Sequence, residues 1–97
     1  MTLTAATLTA NVPTKNASRY LQQLCKHWSH KFETDFNAQQ GVIAFPMGPI
    51  RMSAGEKALT VMIEPTAGAD VDRFKQVVAE HLDRFAFREA PLTFDWQ

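Results

Sequence analysis

The chain's one cysteine and two of its three histidines stand at Cys25, His27 and His30, within a stretch from Ser18 to Phe32 that reads as a helix and its end. Thiolate and imidazole are transition-metal ligands, and paired they make a nucleophile and its base. Spacing restricts both uses. Cys25 and His27 point about 200° apart on a helix, so one metal cannot take both without unwinding the turn. His27 and His30 are three apart and share a side, a chelating spacing if the helix persists through His30. The third histidine, His81, sits at the edge of a second apolar stripe between Val77 and Phe85. With both helices on one side of a sheet it approaches His27, and His27, His30 and His81 become a candidate three-histidine metal site. The plainer reading is two edge histidines hydrogen-bonded at a helix seam and a third in water. No carboxylate stands at a matching spacing in the first helix, and Glu80 and Glu89 are the nearest acids in the second block.

Cys25 as a nucleophile has only His81 as a candidate base, and its plainer role is that of a small, half-buried hydrophobe. Arg19, Arg84 and Arg88 could frame an anion, although surface pairing with Asp83 or Glu89 is the commoner arrangement. Phe87 points about 200° from the stripe that Phe85 continues, and is read as a cap on the end of the sheet in preference to an exposed aromatic contact. There is no glycine-rich phosphate loop, paired-carboxylate motif or dinucleotide fingerprint, so no cofactor is implied.

These side chains need elements to position them. Leu3 to Val12 alternates apolar groups with threonines, a strand that ends at Val12-Pro13. In the helix that follows, Ala17, Tyr20, Leu21, Leu24 and Trp28 share one arc, with Asn16 or Thr14 as its cap; it should stop near Ser29. Phe32, Thr34 and Phe36 alternate with Glu33 and Asp35 as a second strand. Asn37 to Gly41 returns the chain through Val42 to Phe45, with Gly41 free to take positive φ. Phe45-Pro46-Met47-Gly48 reads as a turn, Ile50 to Met52 as a strand, Ala54 to Lys57 as another turn, and Ala58 to Glu64 as the last strand of a meander. Asp70 caps a helix whose stripe is Val71, Phe74, Val78, Leu82 and Phe85, and Leu92, Phe94 and Trp96 alternate as a final strand. The order is β-α-β-β-β-β-α-β. Two one-striped helices and a mostly antiparallel sheet pack economically as a two-layer α+β sandwich with both helices on one face, in one domain over 1–97. The other face carries Glu33, Asp35, Arg51, Ser53, Thr60, Glu64, Thr93 and Asp95. Its apolar members are Val42, Ala44 and Met62, and it is the first candidate for a homodimer.

Ten basic and ten acidic residues balance in 97, so no overall field holds a nucleic-acid backbone or an anionic membrane. The single cysteine allows no internal disulfide, the amino terminus lacks a secretory pattern, and no apolar run is long enough to span a bilayer; a cytoplasmic protein is expected.

Three blocks are similar to a known family: Ser18-Arg19-Tyr20-Leu21 with Leu24-Cys25-Lys26-His27-Trp28-Ser29-His30-Lys31, then Phe45-Pro46-Met47-Gly48, then Glu80 to Glu89. From Ser18 to Trp96 the chain resembles the short bacterial domain-of-unknown-function family 2218. The resemblance implies no activity. Some members look to be encoded beside, or joined to, flavoproteins that handle iron siderophores, which implies a link to iron. The residues and the resemblance together give a small cytoplasmic binding or accessory domain, without an evident catalytic site, that takes a protein partner or small ligand. The alternative is a metal-binding protein or accessory enzyme using His27, His30 and His81.

Overall fold

A computed structural model describes residues 7–97. The elements run β1 (Leu8–Pro13), α1 (Ala17–Trp28), β2 (Thr34–Phe36), β3 (Gln40–Ile43), β4 (Ile50–Ala54), β5 (Ala58–Ile63), α2 (Val71–Phe85) and β6 (Asp95–Trp96). They form the expected α+β architecture, one six-stranded sheet in the order β2-β3-β4-β5-β1-β6 with every pairing antiparallel. The Leu3–Ala6 part of the expected first strand lies outside the described residues.

Register explains which face is covered. Alternate residues of a strand share a face, and across the sheet Val12 stands opposite Leu59, Ala10 opposite Val61, Met52 opposite Val61 and Ile50 opposite Ile63. These residues are all buried, and they meet Leu21, Leu24 and Trp28 of α1 and Phe74, Val78 and Leu82 of α2 in one core. The out-facing positions between them include Arg51, whose Nε donates to Glu64 Oε2 at 2.9 Å, and Thr60, whose hydroxyl donates to Asn11 at 3.2 Å.

Local chemistry fixes the ends of the elements. Asp70 caps α2 by accepting from the Arg73 amide at 3.1 Å, and the Gly48 amide closes its turn onto the Phe45 carbonyl at 3.0 Å. Gly48 has φ 138°, and a Cβ there would lie 2.1 Å from the Glu64 carbonyl oxygen, so only glycine fits.

Three expectations are corrected. Asn16 occupies the N-cap position of α1 but makes no side-chain cap bond; its amide group is drawn to Glu89 instead. Gly41 makes no left-handed turn: the reversal is built by Asn37, whose Oδ1 accepts from the amides of Gln39 and Gln40 at 2.8 Å each, and Gly41 lies within β3. The last strand covers Asp95–Trp96 only, because the Leu92 amide donates to the Asp83 carboxylate at 2.9 Å rather than to a neighbouring strand.

Candidate functional site

α1 and α2 lie side by side on the sheet, and the groove between them receives the segment after α2. Tyr20 is buried on α1, and its hydroxyl donates to Glu89 Oε2. Asn16 Nδ2 donates to the same oxygen at 3.0 Å, and the Thr14 hydroxyl donates to the carboxylate at 2.9 Å while accepting from the Asn16 amide at 3.0 Å. Donors around a carboxylate favour its charged form. The Tyr20 and Asn16 bonds accordingly hold the Glu89 pKa below the ordinary carboxylate value, and burial, reinforced by the bond to Glu89, raises the Tyr20 pKa. The segment after α2 is thus tied to the start of α1 by side chains some seventy residues apart.

Beside this tie opens a cleft of about 450 Å³ lined by Asn16, Arg19, Tyr20, Gln23, Phe85, Phe87, Arg88 and Glu89. Phe87 does not cap the sheet: it is 71% exposed, with the Arg88 guanidinium 5.8 Å from its ring centre. The two acids expected to pair with the arginines take other donors, Asp83 the Leu92 amide and Glu89, itself a wall of the cleft, Thr14, Asn16 and Tyr20. The one ion pair among the described residues joins Arg51 to Glu64 on the opposite face, so Arg19, Arg84 and Arg88 have no acidic partner there.

His27 and His81 stand on the other side of Phe85, where α1 and α2 meet. α1 ends at Trp28 with Ser29 as its C-cap, and one further turn closes where the Phe32 amide donates to the Trp28 carbonyl at 2.8 Å, so His30 stays near enough for its charge to act on His27. His27 and His81 do meet, with ring centres 5.5 Å apart, against Phe85 at 5.9 Å from His27 and Trp28 at 4.7 Å from His81. The Nδ1 of His81 lies 2.7 Å from the Val77 carbonyl oxygen, which makes it the donor, so Nε2 carries the lone pair in the neutral ring and an N–H in the protonated one. Desolvation, then the positive fields of His81, Lys31, Arg84 and His30, lower the His27 pKa. Among the described residues no three of His, Cys, Asp and Glu gather closely enough to hold a metal ion.

Cys25 faces the other way. It is fully buried against β3, and burial pushes its thiol pKa up to about 11, which keeps the nucleophilic thiolate scarce. The structure therefore separates Cys25 from the imidazoles, brings His27 and His81 together, and places Arg19 and Arg88 on one cleft and Arg84 among the groups around His27. Sequence reasoning missed Thr14, Asn16, Tyr20 and Gln23 as members of the site. The sequence offers Glu89 as a nearby acid and as a surface partner for the arginines, and no spacing rule links it to Tyr20.

The family model described as an uncharacterized protein conserved in bacteria (DUF2218) matches residues 9–97, and the chain belongs to that family. No curated protein matches it. Among solved structures it is similar to the NMR structure of PA4090 from Pseudomonas aeruginosa, with 32% identity over 94% of each chain and a TM-score of 0.76.

Proposed function

We propose that this protein is a binding domain for a small organic anion, received in the cleft between α1 and the segment after α2. The observation that carries the reading is a concave site in which two arginines lack an acidic partner among the described residues, next to an aromatic ring that the fold leaves in solvent. A planar guanidinium matches a carboxylate in a bidentate fork, and Phe85 and Phe87 offer apolar surface to the body of the ligand. Glu89 is charged and fully engaged, so its role is to hold the wall of the cleft.

We place the domain in the cytoplasm; no helix among the described residues is long and apolar enough to cross a membrane. The iron setting implied by the family resemblance enters this reading through the ligand, since a chelator rich in anionic oxygens would meet the guanidiniums with no protein side chain on the metal.

The test is an NMR titration with benzoate and, as an uncharged control, benzamide. Benzoate is expected to shift the amides of Tyr20, Phe87 and Arg88, and benzamide to leave them in place. Arg88→Gln should weaken benzoate about tenfold or more, the loss of a hydrogen bond to a charged group being about 1.5–3 kcal/mol. Benzoate shifts that ignore the cleft, or that persist unchanged in Arg88→Gln, would refute the proposal.

A further inference from the structure

We infer that the helix seam around His27 and His81 is a second anion subsite, suited to a tetrahedral oxyanion such as a phosphoryl or sulfuryl group and separated from the cleft by Phe85. Two helices deliver its groups. His27 comes from the last turn of α1, His30 and Lys31 from the residues just after it, and His81 and Arg84 from the last turns of α2. The four neighbours that His27 feels electrostatically are His81, Lys31, Arg84 and His30, and no carboxylate is among them. Basic residues at a helix C-terminus offset its dipole, which gives Lys26, His27 and Arg84 a structural use on their own helices. That use does not require the imidazoles of the two helices to meet, yet their ring centres are 5.5 Å apart, with Arg84 one turn beyond His81 on α2 and Lys31 in the turn that closes on the Trp28 carbonyl.

The whole chain is electrically balanced, so the gathering of cations here reflects their distribution. The acids Asp35 and Asp95 sit at out-facing positions of the sheet, opposite Val42 and Asn11, and Glu64 is paired with Arg51. A cation at His27 would meet the repulsion of Lys31 and Arg84, whereas an anion meets attraction from both. Phe85 and Trp28 form apolar walls beside the imidazoles, where lower local polarity strengthens a charge interaction. A dianionic tetrahedral group matches this set: it offers acceptors to the Arg84 fork, the Lys31 ammonium and imidazole N–H groups at once. Because two or three of the cations are imidazoles, an anion here binds more tightly as pH falls and the rings gain protons. The subsite stands apart from the cleft reading, which rests on Arg19 and Arg88.

Sulfate keeps its double charge throughout the histidine range, so its binding isolates the imidazoles. Histidine ring resonances are followed by NMR during sulfate addition to protein without a histidine tag, with chloride holding ionic strength constant. The expected result is a saturable shift of His27 and His81 with a dissociation constant about fivefold or more lower at pH 5.5 than at pH 8, the lower end of ordinary site coupling. Arg84→Gln, an exposed and fold-neutral change, should weaken sulfate at least as much, while Arg51→Gln on the opposite face and Arg88→Gln in the cleft should leave it unaltered. Phenyl phosphate at the same pH separates two sources of the group: tighter binding than inorganic phosphate supports a phosphate ester lying on Phe85, and equal binding supports a free oxyanion. Shifts that do not saturate, an affinity independent of pH, or wild-type binding in Arg84→Gln would overturn the subsite.

Discussion

Gly41 decides how closely α1 approaches the sheet. A Cβ at that position would lie 2.7 Å from Cys25 Sγ and 3.2 Å from both Leu21 Cδ2 and Phe36 Cβ, in the layer between α1 and the sheet. Gly41→Ala should therefore destabilise the protein by about 1–3 kcal/mol, the usual effect of overpacking. Combining it with Cys25→Ala should recover part of that loss. Urea denaturation of the two single variants and the double variant checks this, and strictly additive effects would show that the thiol is not what the methyl group meets. Glu89 gives a prediction of the opposite sense, in which charge rather than volume is the variable. Its folded pKa is depressed by Tyr20 and Asn16, so its stabilisation is present above the unfolded value of 4.5 and is lost as pH falls through the lower folded value. Glu89→Gln should be less stable than wild type at pH 6, by no more than about 1.5 kcal/mol because the carboxylate is exposed. The difference should narrow as pH falls below 4.5 and the carboxylate gains its proton, and a gap that stays constant through the acid range would mean that packing rather than charge is responsible.

At the scale of the elements, Trp28 is where helix, strand turn and second helix meet. It is 4% exposed, its ring lies 4.7 Å from both Phe45 and His81, and Phe32 closes the near edge at 6.2 Å. Trp28→Ala should cost about 3–5 kcal/mol, read from the denaturation midpoint; a loss below about 1 kcal/mol would contradict this core position. The stripe that places Trp28 was legible in the sequence because both helices bury one face at a 3.6-residue period, and the meander was legible because its strands alternate. The order of β1 between β5 and β6 was not, since pairing partners distant in the chain leave no periodic trace. Trp96 shows the same limit. It alternates properly with Asp95, yet it sits on an edge strand of two residues, half-buried and stacked on Phe94, with the Lys75 ammonium over its ring. The tie of Glu89 to Tyr20, Asn16 and Thr14 was unreadable for the same reason. The approach of His81 to His27 could be anticipated, because each lies at the edge of a stripe and the two stripes share a core.

For the whole molecule, Cys25 reports on cooperativity because nothing local releases it. Its side chain is enclosed by α1, β3 and β2, and the contacts that bury it belong to the same core as α2 and the central strands. Exposure of the thiol therefore requires those layers to part, which makes its modification rate a measure of the largest opening the fold undergoes. A native-state thiol reagent at pH 8 should label Cys25 at a rate that falls with every stabilising change elsewhere and rises in Trp28→Ala by the same factor as the unfolding constant. Burial also links the thiol to pH. Its folded pKa is raised from 9.0 to about 11, so the folded state binds the proton more tightly than the unfolded chain. Stability should consequently be unaffected by this group below pH 9 and should decline between pH 9 and about 11, as the unfolded chain ionises and the folded one does not. Cys25→Ala removes that decline while retaining whatever other groups contribute. If wild type and Cys25→Ala lose stability in parallel from pH 8 to pH 10.5, the thiol is not held in the core as a neutral group. If only the wild type falls more steeply, one buried proton is reporting that sheet and helices separate together.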